Sequence, residues 1–564
     1  MAIEQIRTFL AITLLVVLFL LWQAWQEDYG PAFSSINATG DANQTTQPGM
    51  VTPFQGGRDI PLPPRTDSSV DNRMVPTLPG TDRAGESMAS SDEENRPIRV
   101  QTDVFELFIN PNGTGIYQLN LLAYPDSQDQ PEVPFSLLSQ RMGHYFTAEA
   151  TLLGSDKTLH KPPRFRPEQH DYRLAEGEDT LEVRLPWDSG DGISVTKVMT
   201  FHRQSYAVDF SYEVKNAKEE PVAVRLHGKL TRYPPAGQNS IFRLPTYTGG
   251  VISNAEDLYQ KVDFSDMTKQ DLKHTSQGGW IAMIQHYFIG SWVPDPDAMN
   301  QYYTTQDGTL YTIAVSTDKI ISPGGHDTIS LRGYLGPKIQ DRMEAVAPNL
   351  SRTVDYGWLW VISQPLFWLL KKIHSLLGNW GVAIIILTLL IKLVFFHLSA
   401  TSYRSMAKMR KLQPRMVKLR DTYKDDKVKM NQRLMELYKE EGVNPVSGCL
   451  PIAVQIPVFI ALYWVLLESV ELRHAGFLWL SDLSTYDPFF ILPVSMGITM
   501  FLQQKLNPTP PDPIQAKVMM ALPFVFTFLF LFFPSGLVLY WFVNNVLSIA
   551  QQWVITRQII APNT

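Results

Sequence analysis

The stretch ILTLLIKLVFF (residues 386–396) decides how this chain is read, because it is apolar enough for a bilayer and yet carries a lysine, Lys392, at its centre. Around it, apolar runs of membrane length dominate from residue 356 to the end, while residues 100 to 345 mix polar and apolar side chains as a soluble domain does. The bulk figures of 564 residues and a net charge of −6 average over these two regimes and describe neither. The expectation is a multi-domain membrane protein, half soluble and half embedded in lipid.

Working toward the N-terminus, TFLAITLLVVLFLLWQAW (8–25) is an uncharged run long enough to span, followed by Glu27 and Asp28. Trp22, Gln23 and Trp25 stand where a cleavable signal would place small residues, so residues 1–27 read as an uncleaved transmembrane anchor. Residues 28–96, rich in Pro, Gly, Ser, Thr, Asn and Asp, read as a flexible linker. From 97 to 345, alternating segments such as RVQTDVFELFI, TLEVRLPW, ISVTKVMTF, VAVRLHGKLTRY and HDTISLRGYLG predict an all-β sandwich.

Little in that sandwich points to chemistry. His202, His227, His286 and His326 stand singly on strand-like segments, without the spacing that metal ligation needs, and neither Gly-x-Ser-x-Gly nor His-Glu-x-x-His occurs. The domain reads as a binding or docking module. The sole cysteine, Cys449, precludes a disulfide within the chain and reads as a buried structural thiol.

Toward the C-terminus, further spans are expected near 380–398, 446–468, 488–504, 518–533 and 535–555. The segment 399–443 between the first two is crowded with Lys and Arg, which places it in the cytoplasm and the sandwich on the far side of the membrane, the periplasm of a Gram-negative cell. Residues 356–378 could also span by hydrophobicity. Were they to do so, those cations would lie outside, so Trp358, Trp360 and Trp368 together with the polar face of Gln364, Lys371, Lys372 and Ser375 mark an interfacial amphipathic helix. Met406, Met409, Leu412, Met416, Leu419 and Tyr423 recur at helical spacing and predict a basic helical hairpin within 399–443, either a solvated loop or a docking arm for anionic partners.

Lys392 falls about 9 Å from the cytoplasmic end of its span at 1.5 Å per residue, within reach of snorkelling to the headgroups. Other polar residues favour a different use: Thr388 lies one turn away on the same face, Gln503 and Gln504 end the 488–504 span, and Asn544, Asn545 and Ser548 sit in the last one. Pro451, Pro457, Pro493 and Pro523 free backbone carbonyls that neighbours or water must satisfy. A helical bundle with a positive, hydrated pocket opening toward the cytoplasm follows.

At these residues the chain resembles a known family. GWLWVISQPLFWLL, SMAKMRKLQP, VNPVSGCLPIAVQIPVFIALYWVL, SVELR, DLSTYDPFFILPVSMGITMFLQQK and FPSGLVLYWFVNN are similar to the YidC family of membrane protein insertases. The resemblance implies a periplasmic β-supersandwich and a membrane core, residues 379–557, of five helices plus the anchor. It also implies a substrate-binding groove of Lys392, Thr388, Gln504, Asn545 and Trp541, and an apolar slide of Ile456, Pro457 and Phe459. It implies an insertase and chaperone of the bacterial inner membrane, with both termini cytoplasmic, that works without covalent catalysis, metal or cofactor. Its partners would be nascent membrane proteins, the lipid bilayer, the ribosome and the Sec translocon, and it would function as a monomer. Many relatives carry arginine where Lys392 stands, and a basic tail beyond TRQIIAPNT, whose absence leaves ribosome contact to the hairpin. A Walker-type loop is missing, so insertion must draw on hydrophobic partitioning, the membrane potential or the ribosome. Two other readings are a solute transporter, which an inverted hydropathy repeat would mark, and a periplasmic carbohydrate-binding or mutarotase-like protein, which sugar binding by the sandwich would mark.

Overall fold

The computed structural model describes residues 96–110, 115–141, 143–154, 164–234, 246–424, 426–443, 450–507 and 513–560. The expected anchor, the linker apart from Arg96, and Cys449 lie outside the described residues.

Strand Val222–Arg232 shows how the β domain is built: its residues alternate buried and half-buried without a break, which commits one face to a core. It pairs antiparallel with His144–Gly154 on one side and Leu310–Ile321 on the other, within a ten-stranded sheet. An eight-stranded sheet faces it, with His326–Pro337 between Phe288–Pro294 and Ala207–Asn216. The sheets close on each other at Gly228, where a Cβ would stand 2.5 Å from Leu331 Cδ2 and 3.2 Å from Trp292 Cγ. The fully buried Trp292 fills that space, donates its indole N–H to Lys229 O at 3.1 Å and meets Phe210 edge-on at 5.0 Å. A ring of this size contributes about 5 kcal/mol of transfer free energy at most.

Charged groups also lie inside this core, Lys197 deepest among them, with Arg232 at 5% exposure. Lys197 is 1% exposed, and its Nζ donates to Ala150 O at 3.0 Å beside the rings of Phe210 and Tyr212. Burial lowers its pKa to about 7 from an ordinary 10.5. A short helix, α1 (Phe264–Lys269), completes the domain, and α2 (Gln340–Val346) leads out of its last strand.

The helical region begins with α3 (Trp360–Leu377), which buries Phe367, Leu370 and Ile373 yet leaves Trp360, Val361, Trp368 and Leu376 exposed, as is Trp358 in the 3-10 turn before it. Exposed aromatics on an apolar helix suit a headgroup layer. Lys371 on its polar side pairs with Asp341 of α2 at 2.6 Å. Gly378 ends it in the left-handed conformation at φ 69°, and Asn379 caps α4 (Trp380–Val394) by accepting the Val382 N–H. Helices α5 (Phe396–Thr422), α6 (Lys427–Glu440), α7 (Leu450–Glu468), α8 (Ile491–Leu506), α9 (Pro513–Phe530) and α10 (Ser535–Ile560) follow. Tyr438 returns to α5 through a 3.8 Å contact with Met416 Sδ, and Glu441 through an ion pair with Arg415 at 2.6 Å.

Among the described residues no single helix is long and apolar enough to cross a membrane alone, but α4 and α5 together pass that test, bent by 68° at Phe395. Pro365, Pro414, Pro457 and Pro523 lie inside helices, and none of them ends one. Helix α10 packs against α4, α5, α7 and α8, and α3 packs against α4 and α7. Gly497 lets α8 press against the Thr527 side chain of α9, the close approach small residues permit between membrane helices.

The two regions are bolted together. Lys338, just past the last strand, pairs with Glu468 at the end of α7 at 2.6 Å, with both side chains under 5% exposed, and also donates to Thr353 O at 3.2 Å. His286 Nε2 lies 2.9 Å from Leu467 O, and Arg473 donates to Asp126 O at 3.1 Å while its guanidinium covers Phe135 and Phe288.

Candidate functional site

The last turn of α4 presents Lys392, half-buried, to the side of α10. Its Nζ donates to Ser548 Oγ at 2.8 Å, and Ser548 in turn donates to Asn544 O one turn back on its own helix at 2.7 Å. Among the described residues no carboxylate pairs with Lys392. The ammonium is therefore oriented by a neutral oxygen, and its charge is left uncancelled.

A polar seam continues from this point. Gln455 of α7 donates its amide to Asn544 Oδ1 at 2.8 Å and to Tyr540 Oη at 3.0 Å. Asn545, 4% exposed, donates to Thr499 of α8 at 3.4 Å, and Gln552, 2% exposed, donates to Leu506 O and Asn507 Oδ1. These residues recur on α10 at three- and four-residue spacing, so one face of that helix is polar along several turns.

The residues expected from the sequence divide between this seam and its surroundings. Lys392 and Asn545 lie on the seam. Thr388 is buried above Lys392, but its hydroxyl donates to Ile384 O of its own helix at 2.7 Å, as a threonine in a helix commonly does. Gln504 is half-buried near the end of α8, and no hydrogen bond joins it to Lys392. Trp541 lies on the apolar side, edge-on to Phe459 at 4.3 Å and 5.2 Å from Phe530. Ile456 is 45% exposed and Pro457 half-buried on the same helix as Phe459, so an apolar strip runs from the outer surface of α7 to the Trp541 ring.

Sequence reasoning placed Ser548 within the last helix but did not single it out, and it missed Gln455, Tyr540 and Tyr403. The signal was present: Asn544 and Ser548 are four residues apart, a spacing that stacks two hydroxyl or amide groups on one helix face. What the sequence lacks is the pairing of that face with α4, which spans 156 residues of separation.

Outside the seam, a cavity of about 280 Å³ on the sandwich is lined by His202, Asp209, Arg332 and Arg342. The Asp209 carboxylate there already accepts from Arg332 at 2.5 Å and lies 2.8 Å from His202. Among the described residues no group of His, Cys, Asp and Glu has the arrangement to hold a metal ion.

Residues 372–562 match the family model described as 60Kd inner membrane protein, and residues 97–369 match that of the YidC periplasmic domain. A membrane protein insertase YidC of Nitrosococcus oceani is 45% identical over 561 residues, covering 99% of each chain. One from Stutzerimonas stutzeri is 45% identical over 562 residues, covering 98% of each. A solved structure described as an active YidC insertase with the first transmembrane domain resolved covers 81% of this chain and 92% of its own, at 19% identity and a TM-score of 0.36.

Proposed function

The chain belongs to the YidC family of membrane protein insertases, a family of the inner membrane with a periplasmic domain, and from that premise we propose a groove mechanism centred on Lys392. A short hydrophilic segment of a nascent membrane protein enters from the cytoplasm along the polar face of α10. Its carboxylates are drawn to the Lys392 ammonium, while the adjoining apolar segment passes over Ile456, Pro457, Phe459 and Trp541 into lipid. Asn545, Thr388 and Gln504 bound the path taken by the hydrophilic segment.

The observation that carries this reading is the uncancelled charge of Lys392 within a layer whose outward faces are apolar, with Ile498, Phe524 and Phe528 each more than half exposed. At 4 Å and an effective dielectric near 20, a carboxylate gains about 4 kcal/mol from one cation, against about 1 kcal/mol in water. That difference offsets much of the several kcal/mol it costs to take the carboxylate out of water. No bond is made or broken. Release is driven by partitioning of the apolar segment and by the membrane potential, worth about 2.3 kcal/mol per charge per 100 mV.

In this reading the sandwich is periplasmic, the chain is multi-pass with both termini and the α5–α6 hairpin in the cytoplasm, and one copy suffices. The basic hairpin receives clients from the ribosome, and the Sec translocon hands on those with large translocated domains.

The test is reconstitution of the full chain in lipid vesicles, with protease protection of a small client bearing an acidic translocated segment as the readout. Insertion by the unaltered chain, retained by Lys392→Arg and lost by Lys392→Leu, is the expected result. Normal insertion by Lys392→Leu would remove Lys392 from the mechanism and restore snorkelling as its explanation.

A further inference from the structure

The bend between α4 and α5 carries no glycine or proline, since Phe395 is its break residue. A turn that the local sequence does not dictate must be held from outside. The ties come from α10. Ser548 Oγ accepts from Lys392, three residues before the break, at 2.8 Å, and Gln551 Nε2 donates to Phe396 O, one residue after it, at 3.2 Å. On the far side, the buried Tyr403 of α5 brings its hydroxyl to the same Ser548. Ser548 is itself 3% exposed and is fixed by its bond to Asn544 O, which uses its only proton and turns its lone pairs outward.

We propose that Ser548 is a positioning residue for client selection: by holding the Lys392 ammonium against α10 at the elbow, it keeps the charge at groove depth and fixes the direction of the remaining ammonium protons. This deepens the groove reading and rests on it. A lysine stem left to itself extends toward water, because its charge is best solvated there and four methylenes allow the reach. A single oxygen with oriented lone pairs at 2.8 Å opposes that drift. It engages one of three ammonium protons and leaves two for a carboxylate. A carboxylate in place of Ser548 would hold the cation more tightly but neutralise it, so a hydroxyl is the residue type that orients the charge and leaves it available.

The readout is the ratio of insertion of a client with an acidic translocated segment to that of the same client with its acids replaced by Ser or Asn, in vesicles containing the full chain. Ser548→Ala lowers this ratio roughly tenfold, the range expected for losing one hydrogen bond to a charged group, and Ser548→Thr restores it. In a Lys392→Leu chain, which already has no preference for the acidic client, Ser548→Ala changes the ratio no further. A Ser548→Ala chain whose ratio stays normal overturns the proposal, whether both insertion rates are unchanged, which needs no positioning, or both fall by the same factor, which reflects packing alone. A Lys392→Leu chain that keeps its preference for the acidic client overturns the groove reading itself, and this inference with it. Loss of preference in Lys392→Leu with a normal ratio in Ser548→Ala refutes the positioning role only.

Discussion

The sandwich and the helical layer solve burial in opposite senses. In the sandwich, Trp292, Phe210 and Phe201 are inside and pairs such as Arg225 with Asp318 or Lys319 with Asp327 are at the surface. In the helical layer, Phe524 and Phe528 are 67% and 64% exposed, while Asn545, Ser548 and Gln552 are all under 5%. Water outside selects the first arrangement, and lipid outside permits the second, because a polar group in hydrocarbon must find its partner within the protein. Each region also breaks its own rule at one lysine. Lys197 is a cation in an oily core whose pKa burial has depressed, whereas Lys392 is a cation at a polar seam whose nitrogen meets a neutral hydroxyl.

Four experiments press on this contrast. The largest effect is expected at the joint between the regions: Lys338→Met strands the Glu468 carboxylate in a buried site and costs about 3–5 kcal/mol, seen as loss of folded full-length protein in a denaturation series. Lys338→Met combined with Glu468→Leu should recover most of that loss, and failure to recover would mean that the pair has a role beyond mutual neutralisation.

Next in size is reversal of the charge at Lys392. Lys392→Glu should reduce insertion of acidic clients by roughly a hundredfold, more than Lys392→Leu, because repulsion replaces attraction. Clients whose translocated acids have been changed to lysine should not share that loss. Equal loss for both kinds of client would identify Lys392 as a structural residue.

The counterpart in the sandwich should respond the other way. Lys197→Met is expected to stabilise the protein by about 1–2 kcal/mol near neutral pH, since a well-packed apolar group replaces a buried cation. The sign with pH follows from the depressed pKa. Between about 7 and 10.5 the unfolded chain keeps a proton that the folded chain has released, so stability rises with pH across that window. Lys197→Met should flatten that rise, and an unchanged slope would assign it to other groups. The smallest effect is expected from deleting residues 100–320, which leaves Lys338, its partner and the whole polar seam in place. Insertion of small clients should change less than about twofold, within ordinary surface-mutation effects. Loss of all insertion by an abundant, folded deletion would show that the sandwich does more than dock.

Much of this was legible in the sequence where one rule acts alone. The alternation along Val222–Arg232 reports a strand because a two-residue period has no other common cause, and Lys392 is conspicuous because charge within an apolar run has few explanations. The 68° bend was not legible, because Phe395 is neither glycine nor proline and the ties that impose it come from α10. Thr388 shows the same limit on a smaller scale: its face is readable from spacing, but the rotamer that turns its hydroxyl to Ile384 O is not. Ser548 and Gln455 matter through partners on other helices, and helix-to-helix register is not written in either helix by itself.

The length of α5 has a mechanical consequence. Its 27 residues make a rod of about 40 Å, pivoted at Phe395 next to Lys392. A tilt of only 10° at that pivot sweeps the far end through about 7 Å, while residues in the first turn move by less than about 1 Å. The ties to α10, from Lys392 on α4 and from Phe396 and Tyr403 on α5, all lie near the pivot, so motion of the far end of the rod leaves the Lys392–Ser548 contact in place.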